Sequence, residues 1–425
     1  MDINIAFLGL GTVGIGVYNV LKKNGGVIEH RDNFRFIIKK ILVRNLAKKR
    51  PVDIDSTLLT DNIDDIVDDP GIRIVAEFMG GIDPVSDYAQ RLLLAGKSIV
   101  TANKVLIANK WPQLEKAAKQ GRAGLYYEAS VCGGIPLIST LQNSMQANNI
   151  TKVLGIINGT TNYILTLMTE EGMDFGKALE MAQKQGFAEP DPKNDVDGYD
   201  AQYKLSIILS LAFHSKVPVE SIYREGITNI SREDITYGRD FGFALKLLGI
   251  GKRDGMNIEA RVHPAFIDKN HPLTSVRDSY NAVFIDGDAV GNIMLYGHGA
   301  GAEPTASSII SDLVKAAYAK EFRYSTFINE DAPPAEINFV DNWESRYYLR
   351  ILVADKPGVL SKVSGIMAKY DVSVESVIQK AFGNREVPVI FVTHKTCEHS
   401  IHQSVREINE LDDIIKVASI IRVEN

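Results

Sequence analysis

Cysteine is nearly missing from this chain: two residues among 425, Cys132 and Cys397, far apart and without metal-ligand spacing. That scarcity excludes a disulfide framework and points to a reducing compartment or indifference to redox. No apolar run approaches the roughly 18 residues that span a bilayer, and no charged leader segment precedes the strand-like Ile3–Leu8. A cytoplasmic protein without a membrane partner is expected. Positive charge is not in excess either. With 47 Lys and Arg against 53 Asp and Glu, the net charge of −6 argues against a nucleic-acid surface. No low-complexity tract interrupts the chain. A content of 45% hydrophobic and 24% charged residues is that of an ordinary globular protein, and the length suggests about three domains.

Residues 1–134 alternate strand and helix signals, as parallel βαβ units do. Strands are expected at Ile3–Leu8, Phe34–Val43, Ile72–Phe78, Ser98–Thr101 and Gly124–Glu128. Helices are expected through about Leu21, at Val85–Leu94 and at Trp111–Lys119. From Ile135 longer helices prevail (Pro136–Met145, Asn162–Thr169, Phe175–Gln185, Ala201–Phe213), with strands near Val153–Ile157, Ile258–Pro264 and Ala282–Gly287. Glu330-Asp331-Ala332-Pro333-Pro334 reads as a linker. Beyond it, Tyr347–Val353, Val359–Lys369, Val372–Ile378, Val387–Thr393, Ile401–Leu411 and Ile415–Val423 spell β-α-β-β-α-β, the ferredoxin-like order.

Carboxylates crowd into one stretch. Glu189-Pro190-Asp191-Pro192-Lys193-Asn194-Asp195-Val196-Asp197-Gly198-Tyr199-Asp200 leads from a proline-broken loop into an apolar helix that continues through Lys204. At about 100° per residue, Gln202, Ser206 and Ser210 share a polar face, while Asp200 and Lys204 align with Ile207, Ile208 and Leu211. Acid and amine at i, i+4 meet one turn apart. Two readings stand: an ordinary helix salt bridge worth about 0.3–0.5 kcal/mol if exposed, or an inward pair of the kind found at functional sites, whose desolvation must be offset.

Gly9-Leu10-Gly11-Thr12-Val13-Gly14 follows a strand and opens a helix, the context of a dinucleotide fingerprint. Its glycines permit a tight turn and close approach of a pyrophosphate to backbone N–H groups. Arg44 ends the second strand, where an NAD enzyme carries an acid for the ribose 2′-OH, and Lys48, Lys49 and Arg50 follow. Arginine suits the 2′-phosphate of NADP, so NADP is favoured, with NAD possible; a solvated basic loop is the plainer reading. Arg44 lies farther from the glycines than the usual ~20 residues, so the first helix must be extended. Lys104, closing Thr101-Ala102-Asn103-Lys104, either faces the crevice at the end of a parallel strand or is a surface lysine.

These segments occur in a fixed order with Glu128-Ala129-Ser130-Val131-Cys132-Gly133-Gly134-Ile135-Pro136 and Asn158-Gly159-Thr160-Thr161-Asn162-Tyr163. Together they resemble the homoserine dehydrogenases, in the monofunctional form with a C-terminal ACT domain, over essentially the whole chain. The resemblance implies an α/β fold with three parts. They are a Rossmann-type NADP-binding domain over 1–134, an α/β catalytic and dimerisation domain with a mixed sheet over 135–328, and a ferredoxin-like ACT domain over 346–425. A final helix near 303–320 would return to the nucleotide domain. The implied reaction is the reversible, NAD(P)H-dependent reduction of L-aspartate 4-semialdehyde to L-homoserine in threonine and methionine biosynthesis.

By the same resemblance Lys204 is the proton donor, and Asp200 holds the amine of the substrate or of Lys204. Glu189 binds the substrate's amino group, and Asp195 and Asp197 shape that loop. Lys104, Thr160 and Tyr163 complete the substrate set, and Gly301 lies near the nicotinamide. The Glu128–Pro136 turn resembles a monovalent-cation site, in which the Glu128 side chain and the carbonyls of Val131, Gly133 and Ile135 hold Na⁺ or K⁺; a plain strand-to-helix turn is the alternative. Cys132 and His298 depart from the family pattern, and His298 reads as a turn residue. In the tail, Asp355-Lys356-Pro357-Gly358-Val359-Leu360 resembles the ACT turn. Gly358, Val359, Ser376 and Gln379 are then effector candidates, with threonine as the implied ligand, unless the module serves dimerisation alone. A homodimer or homotetramer is implied. Two other readings compete. Another ACT-bearing hydroxyacid dehydrogenase would want a His/Glu or Arg/His set, which the middle segment lacks, and a sensor without chemistry would not need Asp200 and Lys204 intact.

Overall fold

The computed structural model describes residues 1–324, 327, 337–379 and 386–424; the linker read at 330–334 lies outside the described residues. The chain forms two compact units. One comprises Met1–Val153, Tyr203–Ser221 and Asn281–Glu336; the other comprises Leu154–Gln202, Ile222–Tyr280 and Ile337–Asn425.

In the first unit β1 (Asp2–Leu8), β2 (Arg35–Leu42), β3 (Leu59–Thr60), β4 (Ile74–Glu77), β5 (Ser98–Thr101) and β6 (Leu125–Tyr126) form a parallel sheet in the order β3-β2-β1-β4-β5-β6. Ile5, Ala6, Phe7 and Leu8 are fully buried, as a strand covered on both faces requires. The helix Thr12–Asp32 runs well past Leu21 and ends on Asn33 in the left-handed region. Gly25 and Gly26 mimic a stop signal and cost the helix about 1 kcal/mol each. Val17 and Ile28 nevertheless anchor it in the core, so packing overrides propensity. The helix Lys104–Gly121, capped by Asn103, likewise starts seven residues before Trp111, with Pro112 inside it. The helix Ala302–Tyr318 seals the same core through Ile309 and Leu313. Gly16 has no room for a side chain there, because a Cβ would lie 2.7 Å from the Ala302 carbonyl.

The remaining strands are β7 (Ile150–Ile156), β8 (Tyr223–Arg224), β9 (Phe243–Asp254), β10 (Asn257–Asp268), β11 (Tyr280–Gly287), β12 (Gly291–His298), β13 (Asn338–Phe339), β14 (Glu344–Ala354), β15 (Val374–Gln379), β16 (Glu386–Thr393), β17 (Thr396–Cys397) and β18 (Ile414–Glu424). In the second unit they run β9-β10-β18-β14-β16-β15, with parallel and antiparallel neighbours mixed. The sequence reading missed β9. Its run Phe243–Asp254 shows no alternation and carries two glycines, so pairing along the length of β10, and not local propensity, makes it a strand. Pro136–Met145 also departs from expectation: a short helix, Leu137–Ser139, passes into a π turn at Thr140–Ser144.

The tail has the anticipated β-α-β-β-α-β order: β14, the helix Val359–Lys369, β15, β16, the helix Glu398–Asn409 and β18. Its core gathers Tyr347, Leu349, Ile351, Val363, Phe391 and Ile401. β18 pairs parallel with β10 at Ala265/Arg422, Phe266/Val423 and Ile267/Glu424, so the tail shares one continuous sheet with residues 243–268. Charged side chains are buried along this seam. Glu424 meets Lys252 at 2.8 Å and Arg261 at 3.1 Å. Burial raises the Glu424 carboxyl, but Arg261 and Lys252 outweigh it and hold it at about 2, below its ordinary 4.5. A carboxylate depressed on folding stabilises the fold above pH 4.5 and loses that contribution as pH falls towards 2. Wild type should therefore exceed Glu424→Gln by about 3 kcal/mol at neutral pH, with the gap closing between pH 4.5 and 2. A pH series of thermal midpoints checks this; a gap independent of pH would refute it.

Candidate active site

Order 3-2-1-4 leaves a crevice at the carboxyl ends of β1, β2 and β4, where ligands bind in open α/β sheets. A cavity of about 510 Å³ lies there, lined by Gly9, Leu10, Gly11, Thr12, Arg44 and the Phe78–Met79 wall among others. Gly9 takes a positive φ of 98° and donates its N–H to the Leu42 carbonyl at 2.9 Å. Gly14 is buried behind it, and a Cβ there would sit 2.9 Å from the Gly9 carbonyl. Gly11 has open space instead: a Cβ at that position would meet nothing within 4 Å, which leaves its backbone approachable by a phosphate. Val13 packs against the core. Of the predicted cofactor residues, then, Gly9, Leu10, Gly11, Thr12 and Arg44 line the cavity, whereas Val13, Gly14, Lys104 and Gly301 do not.

Arg44 is exposed at the rim, with Lys48 and Lys49 nearby in the lining. Arg50 plays a different part. Its guanidinium donates to the carbonyls of Lys48 and Asn45, both at 2.7 Å, and so folds the basic loop onto itself. The far wall hangs on Glu77, which sequence reading passed over. Fully buried, it accepts from Met79 N at 2.6 Å, Gly80 N at 3.2 Å and Thr101 Oγ1 at 2.5 Å, and burial raises its pKa. Thr101 Oγ1 in turn accepts from Asn103 N at 2.9 Å, and the Asn103 side chain caps the helix at Leu106 N. Lys104 is thereby fixed as the first residue of that helix.

The carboxylate-rich loop is built in the second unit as far as Gln202. A short helix, Lys193–Val196, ends in Gly198 at φ 83°, and this left-handed turn starts the helix Tyr199–Ala212. Arg224 stacks on the Tyr199 ring at 3.5 Å and donates to the Asp197 carbonyl, bracing the turn. Asp200, 8% exposed, lies in the first helical turn, where the N-terminal dipole favours an anion. One amide joins the two loop acids: Asn158 Nδ2 donates to Asp195 Oδ1 at 2.7 Å and to Asp200 Oδ2 at 2.9 Å. Glu189 is exposed. Thr160 donates to the Phe187 carbonyl at 2.7 Å, and Tyr163 packs on the Phe187 ring with centroids 4.6 Å apart.

The expected polar face of that helix is not a solvent face. Ser206 and Ser210 are fully buried: Ser206 Oγ donates to the Val217 carbonyl at 2.6 Å, and Ser210 Oγ accepts from Val217 N at 3.0 Å. Gln202 donates to the Ile222 carbonyl at 2.9 Å. Leu205, Ile207, Ile208 and Leu209 are also 0% exposed, each contributing about 1.5–3 kcal/mol of apolar burial. Lys204 is half-buried, one turn beyond Asp200.

At the Glu128–Pro136 turn three of the four expected cation ligands, Glu128 and the carbonyls of Gly133 and Ile135, are engaged with the protein itself. The buried Glu128 carboxylate accepts from Ile138 N at 2.7 Å and Ser139 N at 3.0 Å, and Lys315 Nζ lies 3.3 Å away. Lys315 also meets Asp312 at 2.9 Å; burial pushes the Asp312 carboxyl up to about 6 against the pull of Lys315. The Gly133 carbonyl accepts from Ser308 Oγ at 2.7 Å, and that of Ile135 from Leu137 N at 2.8 Å. With an ammonium already on Glu128, its side chain does not fit as a ligand for a second cation. Among the described residues no His, Cys, Asp and Glu converge in a set of three or more suited to a metal. Gly133 and Gly134 serve close packing instead. A Cβ on Gly133 would meet Gly299 at 2.6 Å, and Gly134 N donates to the carbonyl of His298, which ends β12 and so stands in the strand just before the turn expected to hold it.

In the tail, Gly358 (φ 91°) precedes the helix Val359–Lys369, Val359 is buried in the core, and Ser376 and Gln379 lie on the edge strand β15. Among the described residues no helix is long and apolar enough to cross a membrane.

A family model described as homoserine dehydrogenase matches residues 136–314, and one for the NAD-binding domain of the same enzymes matches residues 9–128. The chain belongs to the homoserine dehydrogenase family. It is accordingly an NAD(P)-dependent oxidoreductase, and residues 347–413 match the ACT domain. Homoserine dehydrogenase of Bacillus subtilis is 39% identical over 99% of this chain and 98% of its own length; that of Helicobacter pylori is 38% identical over 100% and 99%. The crystal structure of the Thiobacillus denitrificans enzyme superposes with a TM-score of 0.91 at 36% identity, covering 100% of this chain and 99% of the other. A hyperthermophilic archaeal homoserine dehydrogenase solved in complex with NADPH matches 76% of this chain and 100% of its own, with a TM-score of 0.64 at 25% identity.

Two residues of the site, Glu77 and Asn158, escape sequence reading as site residues, and Arg50 reads there only as a charge of the basic loop. Glu77 and Arg50 act through backbone partners, which leave no side-chain pattern. Asn158 does leave a signal, as an Asn with Thr161 three residues on at a helix start, but only the fold shows its second face.

Proposed function

We propose that this enzyme interconverts L-aspartate 4-semialdehyde and L-homoserine with NADP preferred over NAD, and that Lys204 is the proton donor. The observation that carries the reading is the convergence of Asp195 and Asp200 on Asn158 at the head of the helix that bears Lys204. In that division of labour residues 1–134 bind the cofactor, 135–328 the substrate, and 346–425 an amino-acid effector. The bound nicotinamide would supply the hydride. As the carbonyl oxygen gains charge, the Lys204 ammonium gives it a proton; in the oxidising direction the neutral amine takes the hydroxyl proton. Glu189, Asp195 and Asp200 offer carboxylates to the substrate's ammonium group, and Lys104, Thr160 and Tyr163 complete the contacts. Gly301 is assigned to the nicotinamide end and Gly9–Gly14 to the pyrophosphate. Threonine is proposed as the effector at Gly358, Val359, Ser376 and Gln379, and the assembly as a homo-oligomer.

The NADP preference rests on Arg44 at the cavity rim with Lys48 and Lys49 behind it, and the archaeal relative solved with NADPH supports it. Arg44→Ala is expected to raise KM for NADPH about tenfold or more, the scale of one charge-assisted contact, and to leave KM for NADH nearly unaltered. Equal effects on both cofactors would reduce Arg44 to a loop charge. The whole reading is tested by homoserine-dependent reduction of NADP⁺ and NAD⁺, followed by absorbance, with and without threonine. Absence of turnover in the wild type sinks it.

A further inference from the structure

Asn158 is 4% exposed, and every hydrogen-bonding capacity of its carboxamide is in use. Oδ1 accepts from Thr161 N and from Thr161 Oγ1, both at 2.8 Å, capping the helix Gly159–Glu170. Nδ2 divides its two hydrogens between Asp195 Oδ1 and Asp200 Oδ2. The amide can face only one way, because a backbone N–H fixes the oxygen end and two carboxylates fix the nitrogen end. An isolated pair of acids so close together would repel, and one of them would separate or take up a proton. A shared N–H₂ offers each a hydrogen bond that favours its ionised form. A helix cap needs only the oxygen end. The nitrogen end, buried and aimed at two acids from the other elements of the loop, serves a separate purpose.

We propose that Asn158 is a positioning residue for catalysis: its amide nitrogen ties Asp200 to Asp195 and fixes both carboxylates for the substrate's ammonium group. This rests on the reaction and the role of Asp200 given above. Serine caps a helix about as well as asparagine yet cannot donate to two carboxylates, so Asn158→Ser separates the two functions of the residue. In homoserine oxidation N158S should lose about 10–100-fold in kcat/KM for homoserine. KM for NADP⁺ should stay within about twofold, and the variant should remain folded at the assay temperature because the helix cap is kept. Asn158→Asp also retains a cap but adds a third carboxylate, so its loss should exceed that of N158S. Should N158S not fold, N158D decides the matter. Wild-type-like kcat/KM in either folded variant overturns the proposal, and so does a loss shared equally by homoserine and NADP⁺. A wild-type enzyme inactive on homoserine is a different result, which removes the reaction and not only the role of Asn158.

Discussion

Replacing Lys204 by alanine is expected to lower kcat at least ~10²-fold, with KM for NADP⁺ little changed. A general acid or base in the transition state contributes typically ~10²–10⁴-fold, and Lys204 is the residue proposed to move the proton. Its position suits the role. It lies half-buried on a helix whose neighbours Leu205, Ile207 and Ile208 are 0% exposed, so its backbone is held by packing along the whole helix and the side chain cannot stray by a register. Lys204 does not line the cofactor cavity, so cofactor affinity should survive the change. Lys204→Arg is the sharper control. It keeps the positive charge but cannot release a proton near neutrality; if charge alone mattered, arginine would restore turnover. Steady-state kinetics in both directions separates these cases, and near-normal kcat in Lys204→Ala would withdraw the role.

The largest expected effect on stability comes from Arg422→Met. Arg422 lies 3% exposed on β18 and donates to Glu398 through Nε at 3.1 Å and through Nη2, to Glu225 at 2.7 Å and to the Tyr223 hydroxyl at 3.1 Å. Tyr347 donates at 2.5 Å to Glu398 Oε2, the oxygen that also accepts from Arg422 Nε. Burial raises the Glu398 carboxyl, but His402 and Arg422 outweigh it and hold it far below the ordinary carboxylate range. Methionine fills much of the volume and leaves Glu398 buried without the guanidinium, with Tyr347 and His402 still bonded to it. Breaking such a pair from one side costs about 3–5 kcal/mol, which lowers a thermal midpoint by roughly 5–10 °C. Because the expense lies in the stranded charge, adding Glu398→Gln to Arg422→Met should recover a substantial part of the loss. A midpoint within about 1 °C of wild type for Arg422→Met would show that this network adds nothing net. β18 is the strand that continues the tail onto β10, so the same variant should also loosen hydrogen-exchange protection at Ala265–Ile267.

Much of the cofactor half was legible in the sequence. A glycine turn between a strand and a helix has few physical uses, and the Arg44 loop follows it in chain order; both line one cavity in the fold. The β-α-β-β-α-β tail was legible for the same reason, since each element carries its own period. The helix Tyr199–Ala212 was read correctly as a helix but for an incomplete reason. Periodicity contrasts one face with another, and it marks Ser206 and Ser210 as a polar face; that this face is buried and ties down Val217 is seen only in the fold.

What the sequence alone determined is the chemistry present: a dinucleotide turn, a basic loop, and a run of acids ending in Asp200 and Lys204. What only the tertiary structure decided is how those groups are held. Glu77 meets Thr101 across 24 residues, Asn158 meets Asp195 and Asp200 across 37 and 42, and β9 exists because β10 pairs with it. The structure also placed Lys315 Nζ 3.3 Å from Glu128, across 187 residues, at the turn that by resemblance would hold a monovalent cation and otherwise reads as a plain strand-to-helix turn. Local pattern records what a residue can do with its neighbours along the chain. Which carboxylate meets which amide or ammonium is set by packing, and packing is a property of the folded chain.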